Sequence, residues 1–223
     1  MNKLNSIKGA IFDMDGTLID SLGFWDVYWK KIGERFLGDV NFKPKQEDNL
    51  AVRTVTIENA AKIIHERYNV AKSALELLEF TENLLEWWYL NAVKAKDGVK
   101  ELLEFLYNGG VKMCIASASP GTLVAKTLEM CGISKYFERM VSCAEVGKGK
   151  DEPDVFIKAL EYLGTPLDST FVFEDSVTAI LTAHNYGFKT IGIYDDNSFN
   201  QDKIKSVVDI YLDKGASFKS LIG

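Results

Sequence analysis

"AIFDMDGTLID", residues 10–20, runs from an apolar stretch straight into Asp13 and Asp15, with Gly16 and Thr17 directly behind. A short apolar run bounded by turn residues reads as a strand buried on both faces, as in a parallel sheet. Ending such a strand on two carboxylates is costly, because like charges repel and burial disfavours each ionised form. A chain tolerates that ending where a cation sits between the acids or where they carry out chemistry.

Outward from this strand, the pattern repeats. "VKMCIASAS", "RMVSC", "TFVFED", "KTIGIYD" and "DIYL" read as further strands, and "DGVKELLEFLYNGG", "PGTLVAKTLEMCG", "EPDVFIKALEYLG" and "SVTAILTAHNYG" as helices. Alternating strand and helix predicts an α/β fold, a Rossmann-like parallel sheet with helices on both faces. Residues 21–94 interrupt it with three apolar-periodic segments, 22–37, 55–67 and 73–93, and a polar loop containing Pro44 between the first two. They predict a helical-bundle domain inserted after the first strand, the sheet domain being 1–20 and 95–223.

At 223 residues the chain is long enough for this arrangement, and its 47% apolar content suits a globular protein. The formal charge of −6, with no Lys/Arg-rich block, argues against nucleic-acid binding. No apolar run reaches membrane-spanning length, and Met1 to Gly9 lacks a signal-peptide pattern. Cys114, Cys131 and Cys143 have no metal-site spacing and form no complete disulfide set, so they read as reduced thiols of a cytoplasmic protein.

Three strands end alike: at Asp13-Met14-Asp15, at Ser117-Ala118-Ser119 and at Glu174-Asp175-Ser176. Ligands of open parallel sheets bind outside the carboxyl ends of the strands, so these groups are expected at one rim. Hard carboxylate oxygens there suit Mg²⁺. Two acids of different role on one strand suit phosphoryl transfer, one attacking phosphorus and the other protonating the leaving oxygen and then activating water. Ser117 and adjacent backbone N–H groups would hold the phosphoryl oxygens, and a lysine at the rim would offset their charge. Taken singly, a serine after a strand is more often a helix cap, and an acidic pair before a helix caps it.

"DMDGTLID" resembles motif one of the haloacid dehalogenase-like hydrolase superfamily in its phosphatase form, D-x-D-G-T-L-x-D. "IASAS", "GKDEPDVF" and "VFEDS" follow in the order of that family's other motifs. The resemblance implies a Mg²⁺-dependent phosphomonoester hydrolase working through an aspartyl-phosphate, with residues 21–94 as a helical type-one cap. It implies Asp13 as nucleophile and metal ligand, and Asp15 as general acid/base whose backbone carbonyl also touches the metal. Ser117 and Ala118 would bind phosphate, Lys150 would act in catalysis and phosphate binding, and Asp175 and Glu174 would complete the metal site. The family pattern K-P-x-P-D-x-F has Asp151 at its first proline here, which leaves Lys148 as a competitor to the favoured Lys150.

The second acid favours phosphate esters over carbon–halogen or phosphonate substrates. The alternative is a sugar-phosphate mutase of the β-phosphoglucomutase kind; such mutases carry a histidine where Trp25 stands here. A non-catalytic binding module on the same fold would be marked by a lost motif acid, and none is lost. Phe24, Trp25 and Arg53 are candidate substrate residues, although aromatics at helical spacing, Trp29 among them, are more often bundle core. "EWWYL" reads as packing, His65 as exposed and His184 as a packing or hydrogen-bonding residue. The expected partner is a small phosphorylated metabolite, and the expected state a monomer or weak homodimer.

Overall fold

The computed structural model describes residues 4, 6–53 and 55–223; residues 1–3 and 5 of the polar lead-in, and Thr54, lie outside these. The described chain divides into two compact units, residues 1–21 with 93–223, and residues 22–92.

The first unit is built on six parallel strands: β1 (Gly9–Phe12), β2 (Lys112–Ser117), β3 (Arg139–Ser142), β4 (Thr170–Glu174), β5 (Lys189–Ile193) and β6 (Ile210–Leu212). Their order is β3-β2-β1-β4-β5-β6. The chain winds outward from β1 in one direction and from β4 in the other, so the topological switch point falls between these two central strands. Every residue of β1 and β4 is buried, which explains their apolar runs without alternation.

Alternate residues serve opposite faces. Ile11, Cys114, Ala116 and Val172 pack with Val155, Phe156, Ala159, Leu163, Ala179 and Ala183. On the other face the Phe12 ring stacks on Phe173 at 4.2 Å and meets Phe137 edge-on.

The second unit lies between β1 and the rest of the sheet in sequence. It contains α1 (Phe24–Ile32), a π-helical turn (Gly33–Leu37), α2 (Gln46–Val52), α3 (Ile57–Tyr68) and α4 (Ala74–Asn91). The helices after it belong to the sheet unit: α5 (Val99–Asn108), α6 (Gly121–Met130), the single turn α7 (Cys143–Val146), α8 (Asp154–Leu163), α9 (Val177–Tyr186) and α10 (Gln201–Val207). Leaving and returning strands of chain are zipped together. Asp20 N–H donates to Lys94 C=O at 3.0 Å, Lys96 N–H to Leu18 C=O at 2.9 Å, and Ile19 bridges Ala95 antiparallel. Exit and re-entry are thus neighbours, which is how an insertion leaves a sheet intact.

The helical unit has its own core of Phe24, Tyr28, Trp29, Ile32, Val52, Ala60, Ala61, Ile64, Val70 and Leu77. Thr56 caps α3 by accepting from Asn59 N–H. Ser73 caps α4 by accepting from Glu76 N–H, while Glu76 reaches back to Lys72 N–H at 2.6 Å. Helix α2 corrects the loop expected around Pro44. Only seven residues long and mostly polar, it shows no periodicity to read, yet it buries Asp48 and Val52.

Other placements differ from expectation too. Trp87 is half exposed rather than packed. His184 is exposed on α9, while His65 is half buried with Nδ1 2.8 Å from Val70 C=O at the end of α3. Of the three cysteines, Cys114 and Cys131 are buried and Cys143 is half buried.

Candidate active site

The register brings the strand ends level. Phe12 pairs with Ile115 on β2 and with Phe173 on β4, and Asp13 extends the ladder by donating its N–H to Phe173 C=O at 2.9 Å. Asp13 therefore lies beside Glu174, across the switch point. Beyond it the chain turns sharply. Leu18 and Ile19 both donate N–H to Met14 C=O, Gly16 donates to Ile19 C=O, and Gly16 takes a φ of 78°. That left-handed conformation is the reason for glycine here. Met14 is wholly buried between the two acids.

Asp13, Glu174 and Asp175, all buried, each offer a carboxylate oxygen within 4.8 Å of the others. Lys150 Nζ donates to Asp13 Oδ1 and, at 2.7 Å, to Glu174 Oε1. Lys148 instead pairs with Asp154 on the surface, so Lys150 is the lysine at the rim. Glu174 Oε2 accepts from Ser176 N–H at 2.7 Å. Asp175 Oδ1 accepts from Thr17 Oγ1 at 3.1 Å, and its Oδ2 accepts from Ser198 Oγ.

Burial pushes the Asp13 carboxyl well above its ordinary 3.8; Lys150 pulls it down, and the neighbouring acids push it further up. Burial, with the charge of Glu174, raises Asp175 to about 7. Burial alone would lower Lys150, but Asp13 and Glu174 outweigh it and hold the ammonium protonated. The Lys150 ammonium thus meets two of the three clustered buried carboxylates, Asp13 and Glu174, and a divalent cation would relieve the crowding of the acids. The donors are hard oxygens at the right spacing, so Asp13, Glu174 and Asp175 fit Mg²⁺.

Asp15 stands apart from this cluster. Its Oδ1 accepts from Ser21 Oγ and its Oδ2 from Ser119 Oγ, each at 2.7 Å. Ser117, fully buried, accepts from Ser119 N–H at 3.0 Å, and its hydroxyl keeps a proton of its own to donate. Ala118, between them, is exposed. The rim thus presents a buried carboxylate, a second carboxylate fixed by two hydroxyls, an ammonium and a serine donor.

A model of the haloacid dehalogenase-like hydrolase family matches residues 10–193, from β1 to the end of β5. The chain belongs to this family. Among relatives of this hydrolase, the phosphorylated carbohydrates phosphatase of Thermotoga maritima is 26% identical over 186 residues, 83% of this chain and 84% of that one. Hexitol phosphatase B of Escherichia coli (strain K12) is 26% identical over 194 residues, 82% of each chain. The crystal structure of β-phosphoglucomutase from Clostridium difficile superposes with a TM-score of 0.70, over 96% of this chain and 95% of that one, at 18% identity; this is a likeness of fold. The reading of the sequence as an enzyme of the phosphatase class in this hydrolase family stands.

The candidate substrate residues of the hydrolase all lie in the helical unit. Phe24 is in its core, stacked on Tyr28 at 5.5 Å. Trp25 is half buried, edge-on to Phe24 and Tyr28. Arg53 donates from Nε to Asn49 Oδ1 at 3.3 Å and pairs with Asp26 at 3.4 Å. Trp29 is core, its Nε1 donating to Asn49. Reading the sequence gave no role to Thr17, Ser21, Ser119 or Ser198. The first three are in or beside the quoted motifs; nothing local marks Ser198.

Proposed function

We propose that this hydrolase is a Mg²⁺-dependent phosphomonoesterase acting on a small phosphorylated metabolite through a phosphoenzyme on Asp13. The observation that carries the reading is the pairing of Asp13 with Lys150 inside a cluster of buried acids, with Asp15 held separately by two serine hydroxyls. Nucleophile and proton donor need different environments, and these two carboxylates have them.

In the first step a carboxylate oxygen of Asp13 bonds to phosphorus as the ester P–O bond breaks, and Asp15 gives its proton to the departing oxygen. In the second, water bonds to phosphorus, Asp15 takes its proton, and Asp13 leaves as carboxylate. Ser117 and the Ala118 N–H receive phosphoryl oxygens, and Lys150 offsets their charge while remaining protonated. Asp13, Glu174, Asp175 and the Asp15 carbonyl would hold Mg²⁺, which when bound supplies charge stabilisation at the transferring phosphoryl group.

We assign residues 22–92 the role of cap and the choice of leaving group, with Trp25 and Arg53 ahead of Phe24, whose ring is taken up by the core. No helix among the described residues is long and apolar enough to cross a membrane. The free cysteines support a cytoplasmic setting.

Phosphate release from a panel of sugar phosphates, nucleotides and small phosphoesters tests the reading, with EDTA and Asp13→Asn as controls. Release that both controls abolish is expected. Full activity in Asp13→Asn overturns the phosphoenzyme, and conversion of a sugar phosphate to its isomer without release would make the chain a mutase.

A further inference from the structure

The segment after β5, residues 194–200, carries more polar anchoring than a surface connection needs. Asp195 is buried, and both of its carboxylate oxygens are used: Oδ2 accepts from Lys96 Nζ at 2.7 Å and Oδ1 from Asn197 N–H at 2.8 Å. Lys96 Nζ also donates to Tyr194 C=O at 3.1 Å. Ser198 N–H donates to Asp195 C=O at 3.2 Å. Gln201 Nε2 donates to the same carbonyl at 3.3 Å, and Gln201 Oε1 accepts from Tyr211 OH at 2.6 Å. Tyr194 N–H, finally, is fixed to Leu212 C=O.

A buried ion pair is a poor source of stability, because the desolvation of both partners consumes most of its attraction. Such a pair serves better to fix one arrangement of the chain. The arrangement fixed here ends on Ser198, half buried, whose hydroxyl donates to Asp175 Oδ2. Thr17 holds the other oxygen of the same carboxylate. One donor comes from the turn after β1 and the other from the loop after β5, so the plane of the Asp175 carboxylate is set from two sides.

We propose that Ser198 is a positioning residue for Asp175: the loop pinned by Asp195 and Lys96 aims the Ser198 hydroxyl at the carboxylate and so sets the affinity of the acidic cluster for its divalent cation. The inference rests on the cation-site reading of Asp13, Glu174 and Asp175 given above. Hydrogen-bond partners of metal-binding side chains typically change affinity by about 10–100-fold when removed, because an unheld carboxylate must be ordered at the moment of binding.

The test is Mn²⁺ binding to the full chain without substrate, followed by paramagnetic resonance of the free ion, for the wild type, Ser198→Ala and Ser198→Thr. A dissociation constant raised about tenfold or more is expected for Ser198→Ala. Restoration to within about threefold of wild type is expected for Ser198→Thr, which keeps the hydroxyl. The unfolding midpoint of Ser198→Ala in EDTA is expected to match wild type, since the change lies in a loop and leaves the Lys96–Asp195 pair in place. Wild-type affinity in Ser198→Ala overturns the inference alone. A Ser198→Thr protein as weak as Ser198→Ala also overturns it, because the hydroxyl would then not be the operative group. Absence of Mn²⁺ binding in the wild type overturns the cation-site reading itself, and this inference with it.

Discussion

Aspartates in this chain are held by very different means. Asp13 and Asp175 are driven toward the protonated form by burial among other acids. Asp48, in the helical unit, is driven the opposite way: the Tyr68 hydroxyl donates to it at 2.6 Å and Arg67 pairs with it, holding the carboxyl below its ordinary 3.8. A depressed folded-state pKa contributes stability above the unfolded value and loses it as pH falls through the folded value. Thermal unfolding should therefore show Asp48→Asn less stable than wild type at pH 7, with the gap closing below about pH 4. A gap of equal size at pH 7 and pH 3 would mean that the charge of Asp48 contributes nothing. The comparison is informative because Arg67 keeps its charge across the whole range.

Among elements, α1 and the π-helical turn behind it show how tertiary contact reverses a local preference. Alanine is a better helix former than glycine by roughly 1 kcal/mol, so propensity alone favours Gly33→Ala. In the fold, a Cβ at Gly33 would collide with Asp39 C=O and with Phe42 Cβ. Asp39 N–H is bonded to Gly33 C=O, so the approach is part of the turn that closes at Gly38. Gly33→Ala is expected to destabilise the chain by about 1–3 kcal/mol, the usual range for overpacking. A rise in the midpoint of chemical denaturation would show that propensity outweighs the contact. Helix α2 teaches a related lesson. Its seven residues have no readable period, and it is held by burial of Val52 and Asp48 rather than by its own composition.

At the scale of the molecule, all the acids proposed to hold the cation belong to the sheet unit, although 160 residues of sequence lie between Asp13 and Glu174. Binding to the folded form alone raises stability by RT ln(1 + [L]/Kd), about 2.7 kcal/mol at a hundredfold excess over Kd. Saturating Mg²⁺ should then raise the calorimetric unfolding midpoint of the sheet unit, EDTA should reverse the rise, and Asp175→Asn should greatly reduce it. An equal Mg²⁺ shift in Asp175→Asn would place the stabilising ion elsewhere.

Sequence alone determined the alternation that makes a parallel sheet, the helical insertion, and the acidic and hydroxyl endings of β1, β2 and β4. Those are local properties: burial on both faces demands apolar runs, and the turn after β1 demands Gly16. It also offered Asp13, Ser117, Glu174 and Asp175 as candidates for one rim, because each lies at or directly after the end of a readable strand. Between the favoured Lys150 and its competitor Lys148 only the tertiary structure decides, since the two differ by two positions in one loop yet meet different acids. It placed Phe24, a candidate substrate residue, in the helical core. It also brought Ser198 to Asp175, by strand order and by an ion pair between residues 96 and 195. A hydroxyl carries no periodicity and no charge, so only the contact itself reveals its role.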